Sequence, residues 1–195
     1  MTRARDVSSR GGMTQVIPTS TTITGSGSAS VTANGAVNFT NVTTISLNNC
    51  FIPEFANYKI VMNVDKSTDN GGVVWRLRSA GSDSSAGSYL FAGRRNISWG
   101  GASADMLYST TYFPITDYNN GASSRSATID IINPKASQFS QMHESCNYTS
   151  SNGFYGNFHG SGAFRGTDSF DGFTFYFSDA SSSTGSIRVY GYNNG

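Results

Sequence analysis

Charge is scarce in this chain. Only 13% of its 195 residues are Asp, Glu, Lys or Arg, and the formal balance is +1. That excludes the strong basic field that draws nucleic acid or an anionic membrane, and the acidic field that draws a polycation. Histidine is rarer still, with His143 and His159 alone. Two cysteines and no CxxC pair leave no zinc-ligand spacing, so neither a metal nor a cofactor is expected. Cys50 and Cys146 read as small buried thiols, with a disulfide between them as the alternative. No apolar run reaches the roughly 18 residues of a membrane span. No apolar h-region follows the N-terminus, so neither membrane insertion nor a Sec signal peptide is expected. Prolines number four, and Leu and Lys are few.

What is present points one way. Gly reaches 22 residues, Phe 13 and Tyr 10, with Ser, Thr and Asn throughout. These are weak helix formers but suit strands and the turns between them. Val37-Asn-Phe39, Thr43-Thr-Ile-Ser-Leu47, Asn57 to Val64 and Val73 to Arg78 alternate with period two, and turn clusters separate them. Tyr89-Leu-Phe91 and Ile97-Ser-Trp99 read as two short strands around Arg94-Arg95. Further strands are expected in Met106 to Ile115, Ser126 to Ile132 and Ser140 to Tyr148. Gly153 to Gly166 is a Gly/aromatic stretch. Two strands close the chain, Gly172 to Ser178 and Gly185 to Asn193. Phe173, Phe175 and Phe177 share one face, as do Ile187 and Val189. Short strands with no helical interlude predict an all-β fold, an antiparallel jelly-roll-like β-sandwich over residues 36–195. Residues 1–35 carry few large apolar side chains (Met13, Val16, Ile17, Ile23 and Val31) and cannot bury a core. They read as an extended arm that orders on docking, or as a free tail.

Several blocks, in order, resemble a domain of tailed-phage virion proteins. They are Val37-Asn-Phe39, Leu47-Asn-Asn-Cys-Phe51, Glu54 to Val61, Trp75-Arg-Leu-Arg-Ser-Ala-Gly81 and Ser88-Tyr89. Ile129-Asp-Ile-Ile-Asn-Pro134 and Gly185-Ser-Ile-Arg-Val-Tyr-Gly191 complete them. The opening Thr2-Arg-Ala-Arg-Asp-Val7 is similar to the N-terminus of tail-fibre-like proteins of marine and cyanobacterial phages. The resemblance implies a virion structural protein on the tail or head exterior, in contact with other virion proteins and often trimeric. It makes Thr2, Arg3, Arg5, Asp6 and Val7 the virion-anchoring candidates. A head decoration or vertex-fibre protein is the alternative within that class.

Catalysis finds little support. Most acids sit in Gly/Ser turns, where short Asp side chains bond the local backbone, and no convincing acid pair for glycan hydrolysis emerges. Asp130, between Ile129 and Ile131, is expected on the polar face of its strand. Two histidines leave a Ser-His-Asp triad conceivable by count, but no nucleophile elbow lies between a strand and a helix. Four N-x-[ST] sequons, at Asn38, Asn41, Asn96 and Asn147, follow from composition. Arg76, Arg78, Arg94 and Arg95 are expected on a solvated sheet face or pairing acids across an interface. Trp99, Tyr118, Tyr148, Phe154 and Tyr155 lie near Asn, Ser and Gly. Aromatic faces beside amides and hydroxyls make them the glycan-contact candidates, with core or interface filling as the competing role. The expected function is therefore non-enzymatic: fibre-like attachment to a host-surface glycan, as a homotrimer working by avidity. A carbohydrate-binding lectin or a glycan-degrading enzyme on the same sandwich is the reading from another class.

Overall fold

A computed structural model of the chain describes residues 12–66, 72–85, 87–97, 103–115, 122–150, 155–177 and 182–193. Sixteen strands and no helix occur among the described residues. They are β1 (Thr14–Val16), β2 (Ser20–Thr24), β3 (Ser28–Val31), β4 (Val37–Val42), β5 (Thr44–Asn48) and β6 (Asn57–Lys66). Next come β7 (Val73–Ser79), β8 (Ser82–Asp83), β9 (Tyr89–Ile97), β10 (Ser103–Thr110) and β11 (Phe113–Pro114). The last five are β12 (Ala122–Ile132), β13 (Ser140–Ser150), β14 (Tyr155–Phe164), β15 (Gly172–Phe177) and β16 (Ser183–Tyr192).

Two antiparallel sheets pack as a β-sandwich. The larger runs β10-β9-β14-β13-β12-β6-β16-β4-β3, with β1 on β16; the smaller runs β11-β7-β15-β5-β2, with β8 on β7. Inside this order lies a nest of ladders: β4 with β16, β5 with β15, β6 with β12, and β7 with β11. A long hairpin rolled so that its successive ladders alternate between sheets gives this pairing, and the sheet orders β4-β16-β6-β12 and β5-β15-β7-β11 are those of a jelly roll. The expected fold class is the one observed. Two insertions widen the larger sheet: β9 and β10 come, after β8 of the smaller sheet, between β7 and β11, while β13 and β14 come between β12 and β15.

The core is the set of inward residues that alternation selects. Ile60, Met62 and Val64 on β6 and Ile187 and Val189 on β16 face Trp75 and Leu77 on β7 and the Phe173, Phe175, Phe177 row on β15; all are buried. Aromatic rings join the layers. Trp75 lies 5.0 Å from Phe113, Phe113 4.7 Å from Tyr89, and Tyr89 4.9 Å from Phe164. Such pairs add about 0.5–1.5 kcal/mol each beyond the area they bury.

Strand β14 explains the Gly/aromatic stretch. Its inward positions are Gly156, Phe158, Gly160, Gly162 and Phe164. A Cβ on Gly160 would stand 2.1 Å from Phe91 Cζ, and one on Gly156 2.2 Å from Tyr148 Cζ. The glycines leave room for rings that neighbouring strands send across. Tyr89 to Ile97 is one continuous strand rather than the two expected, with Arg94 outward and the Arg95 Nε atom buried. Ala80 and Gly81, at φ 49° and 78°, make the two-residue turn from β7 to β8 that positive φ at both centres permits.

Residues 12–35, read from the sequence as part of the arm, run along the sandwich as strands. β2 edges the smaller sheet on β5, β3 edges the larger on β4, and β1 extends the ladder at the end of β16. Val16 is buried, and Ile23 and Ala29 pack against the core. Thr and Ser between them suit a strand whose outer face is wet. Residues 1–11, which include the anchoring candidates Thr2, Arg3, Arg5, Asp6 and Val7, lie outside the described residues.

Candidate functional site

The outward residues of the larger sheet fall into cross-strand rows. One row reads Ser30 (β3), Asn38 (β4), Ser186 (β16), Asn63 (β6), Ser126 (β12), Asn147 (β13), Asn157 (β14) and Asn96 (β9), and the register continues to Ser103 (β10). Every member is Asn or Ser. At the spacing of neighbouring strands the row is about 38 Å long. Its members bond along it: Ser126 Oγ donates to Asn63 Oδ1 at 2.5 Å, and Asn96 Nδ2 to Asn157 Oδ1 at 2.9 Å. Tyr155, on the same face, donates its hydroxyl to Asn147 Oδ1 at 2.8 Å and leaves its ring 48% exposed. Asn is depleted in strands, so this row is not what sheet stability selects. It offers a strip of amides and hydroxyls without charge.

Farther along the same face is a groove of about 700 Å³. Two rows line it: Ile132, Gln141, Ala163, Leu90, and Asp130, His143, Ser161, Ala92. Gly162 on β14 and Phe91 on β9 line it as well. Asp130 closes one side, gripped by Lys59 Nζ at 2.7 Å and Tyr192 Oη at 3.4 Å. Burial and the nearby Asp130 carboxylate push the Tyr192 hydroxyl above its ordinary pKa. Next to the groove, sharing Gln141, is a hollow of about 480 Å³ lined by Asn133, Ser137, Gln138, Phe139 and Thr167. Phe139 is 56% exposed on a connection pinned by Phe170 N–H to Pro134 O at 2.8 Å and Ser169 Oγ to Lys135 O at 2.6 Å. None of the described residues that line the hollow is ionisable.

Ser161, His143 and Asp130 stand side by side, with His143 Nδ1 3.0 Å from Ser161 Oγ. A working triad needs the acid to orient the imidazole and donors for an oxyanion. Here the hydrogen bonds to Asp130 come from Lys59 and Tyr192. The β14 backbone is engaged in ladders with β13 and β9. No cluster of three or more potential metal ligands occurs among the described residues.

The outer face of the smaller sheet is different in kind. Arg78, expected on a solvated or intermolecular face, is buried under the β8 hairpin. Its Nη1 donates to Asp83 Oδ1 at 2.5 Å, Thr174 Oγ1 at 2.8 Å and Ser46 Oγ at 3.0 Å; its Nε donates to Asn48 Oδ1 at 2.9 Å, and its Nη2 to the Gly81 carbonyl. Asp83 also accepts the Tyr176 hydroxyl. Burial and that carboxylate raise the Tyr176 pKa. Arg76 lies 5.1 Å over the Tyr176 ring and donates to Thr111 O at 3.0 Å. All these partners belong to this chain.

The glycan-contact candidates separate. Tyr155 is on the outer face described above. Tyr148 is 6% exposed and points inward, its ring filling the space left by Gly156, so it serves the core. Trp99, Tyr118 and Phe154 lie outside the described residues. Sequence reasoning missed Phe139, the Asn/Ser row and the groove; the alternating N-x-[ST] pattern was the available signal. Cys50 and Cys146 are both free and buried, as expected. Burial pushes the Cys146 thiol up to about 12 and that of Cys50 well above its usual range.

A comparison of the chain with models of known protein families finds no match, and a comparison with curated proteins finds no similar sequence.

Proposed function

We propose that this chain is a non-enzymatic structural and attachment module of a phage virion, which contacts a neutral surface glycan through the outer face of its larger sheet. The observation that carries the binding part is the unbroken Asn/Ser row with the Tyr155 ring at its side. Uncharged donors and acceptors next to an exposed ring match the hydroxyls and apolar ring faces of sugars. The 700 Å³ groove adds a concavity farther along the sheet, and the hollow beside it adds the exposed Phe139 ring. The virion assignment rests on the ordered sequence motifs. Single contacts of this kind are weak, and presentation as a homotrimer multiplies them.

The test is titration of the protein with neutral host-surface polysaccharide, read by calorimetry, beside an acidic polysaccharide of similar length. Preference for the neutral polymer, weakened by Asn147→Ala and Asn157→Ala, supports the reading; equal binding by the double variant removes it. Shortening of the polysaccharide during incubation refutes the non-enzymatic part. A monomeric mass at micromolar concentration counts against the trimer.

A further inference from the structure

Glu144 is the one acidic side chain among the fully buried described residues, with 0% exposure. It sits mid-strand on β13 and points between the sheets, with Ile129 across on β12 and Gly160 across on β14. Trp75 is its neighbour from the other layer. The indole N–H of Trp75 on β7 is the donor nearest in effect, and it favours the carboxylate. Even so, neither carboxyl oxygen nor Trp75 Nε1 completes a hydrogen bond among the described residues. The inward charged or titratable side chains of the surrounding strands are Arg125 on β12, Cys146 and Tyr148 on β13 itself, and Tyr89 and Arg95 on β9. β14 and β7 present Phe, Gly, Val, Leu and Trp, and β11 presents Phe113. No ion pair joins Glu144 to a cation among the described residues.

An isolated carboxylate in such a place takes up a proton instead of staying charged. Burial raises the Glu144 pKa well above the ordinary carboxylate range, and only the Trp75 N–H opposes it. The ionised form needs water, and Glu144 is fully buried, so water reaches it only if the packing around it opens.

We propose that Glu144 is a proton-set latch between the two sheets: protonated, it lets β13 pack against β7, and ionised, it drives that side of the sandwich open. The other face of β13 carries Gln141 and His143 in the groove and Asn147 in the polar row. Opening therefore disturbs the proposed binding face, although the latch is read in the core and stands or falls without any ligand.

The direction of the pH effect follows from linkage. The unfolded carboxyl ionises in its usual range and the folded one higher. The stabilisation is full below the unfolded pKa and is lost as pH rises through the folded one. Between the two values the unfolding constant grows about tenfold per pH unit from this group alone.

The test measures chemical unfolding and Trp75 fluorescence from about pH 4 to about pH 9, in a Trp99→Phe background so that one indole reports. The latch predicts falling stability with rising pH and a change in Trp75 emission over the same interval. Both vanish in Glu144→Gln and persist in Cys146→Ser. Glu144→Met, close in volume and unable to ionise, replaces the Gln variant if that one fails to fold. Infrared spectra of the unmodified protein give a readout that needs no variant: a carboxylic-acid carbonyl band must persist at neutral pH. Its absence, or the same pH profile with and without Glu144, overturns the latch.

Discussion

The two outer faces of the sandwich use polar residues in opposite ways. On the smaller sheet, Arg78, Asp83, Thr174, Ser46 and Tyr176 bond one another beneath β8, and their hydrogen-bonding capacity is spent within the chain. On the larger sheet, Asn and Ser stand in a row whose members are mostly open to water. The first arrangement stabilises, because a buried guanidinium tolerates burial only with its donors satisfied. The second leaves acceptors and donors for something outside. Polar content alone therefore does not mark a binding face; the difference lies in whether the partners are already supplied.

Substitutions on the two faces should separate accordingly. Arg78→Ala strands Asp83, Ser46 and Thr174 under the hairpin and should cost about 3–5 kcal/mol, measured by urea unfolding. A loss below about 1 kcal/mol would place this network with ordinary surface pairs and break the contrast. Gly160→Val, on the inner side of the larger sheet, drives a Cβ to 2.1 Å from Phe91 Cζ. It should cost about 1–3 kcal/mol or prevent folding, whereas the outward Ser161→Val should be tolerated. Lys59→Met removes a partly exposed ion pair with Asp130 and should cost about 0.2–1 kcal/mol, less in high salt. Asn147→Ala with Asn157→Ala should change stability by no more than about 0.5 kcal/mol per site. The same pair should lower glycan affinity about tenfold if one hydrogen bond's worth of contact is lost. A large stability loss in this pair would mean that the larger face is also spent on the fold.

The fold was largely legible where alternation uses large apolar residues. β6, β7, β12, β15 and β16 follow from period two, and their pairing produces the jelly roll. β14 was not, because its inward positions are held partly by glycine, and the rings that fill the space come from other strands. The second face of β15 was hidden for a related reason. Thr174 reads as solvent-facing, yet β8 folds over it through a turn whose effect is long-range. For the site, Tyr148 and Tyr155 look alike in sequence but fall on opposite faces, one on β13 and the other on β14. Phase is not carried reliably across the connection between two strands. The sequons told more than composition suggested. Asn38, Asn96 and Asn147 belong to one row because N-x-[ST] places two polar side chains on the same face of a strand. That they line up across the sheet depends on register, which only the pairing of distant segments sets.

The nested ladders also set a schedule. β16 lies in the interior of the larger sheet, between β6 and β4, although it follows every other described strand in sequence. Until it leaves the ribosome, β4 and β6 have no neighbour to join them, and the larger sheet stays in two pieces. Contacts between such distant segments form slowly. A chain cut short before Ser183 keeps most of its residues but lacks the strand that unites them. Such a product cannot close its sheet, so the topology itself denies a truncated copy the folded state.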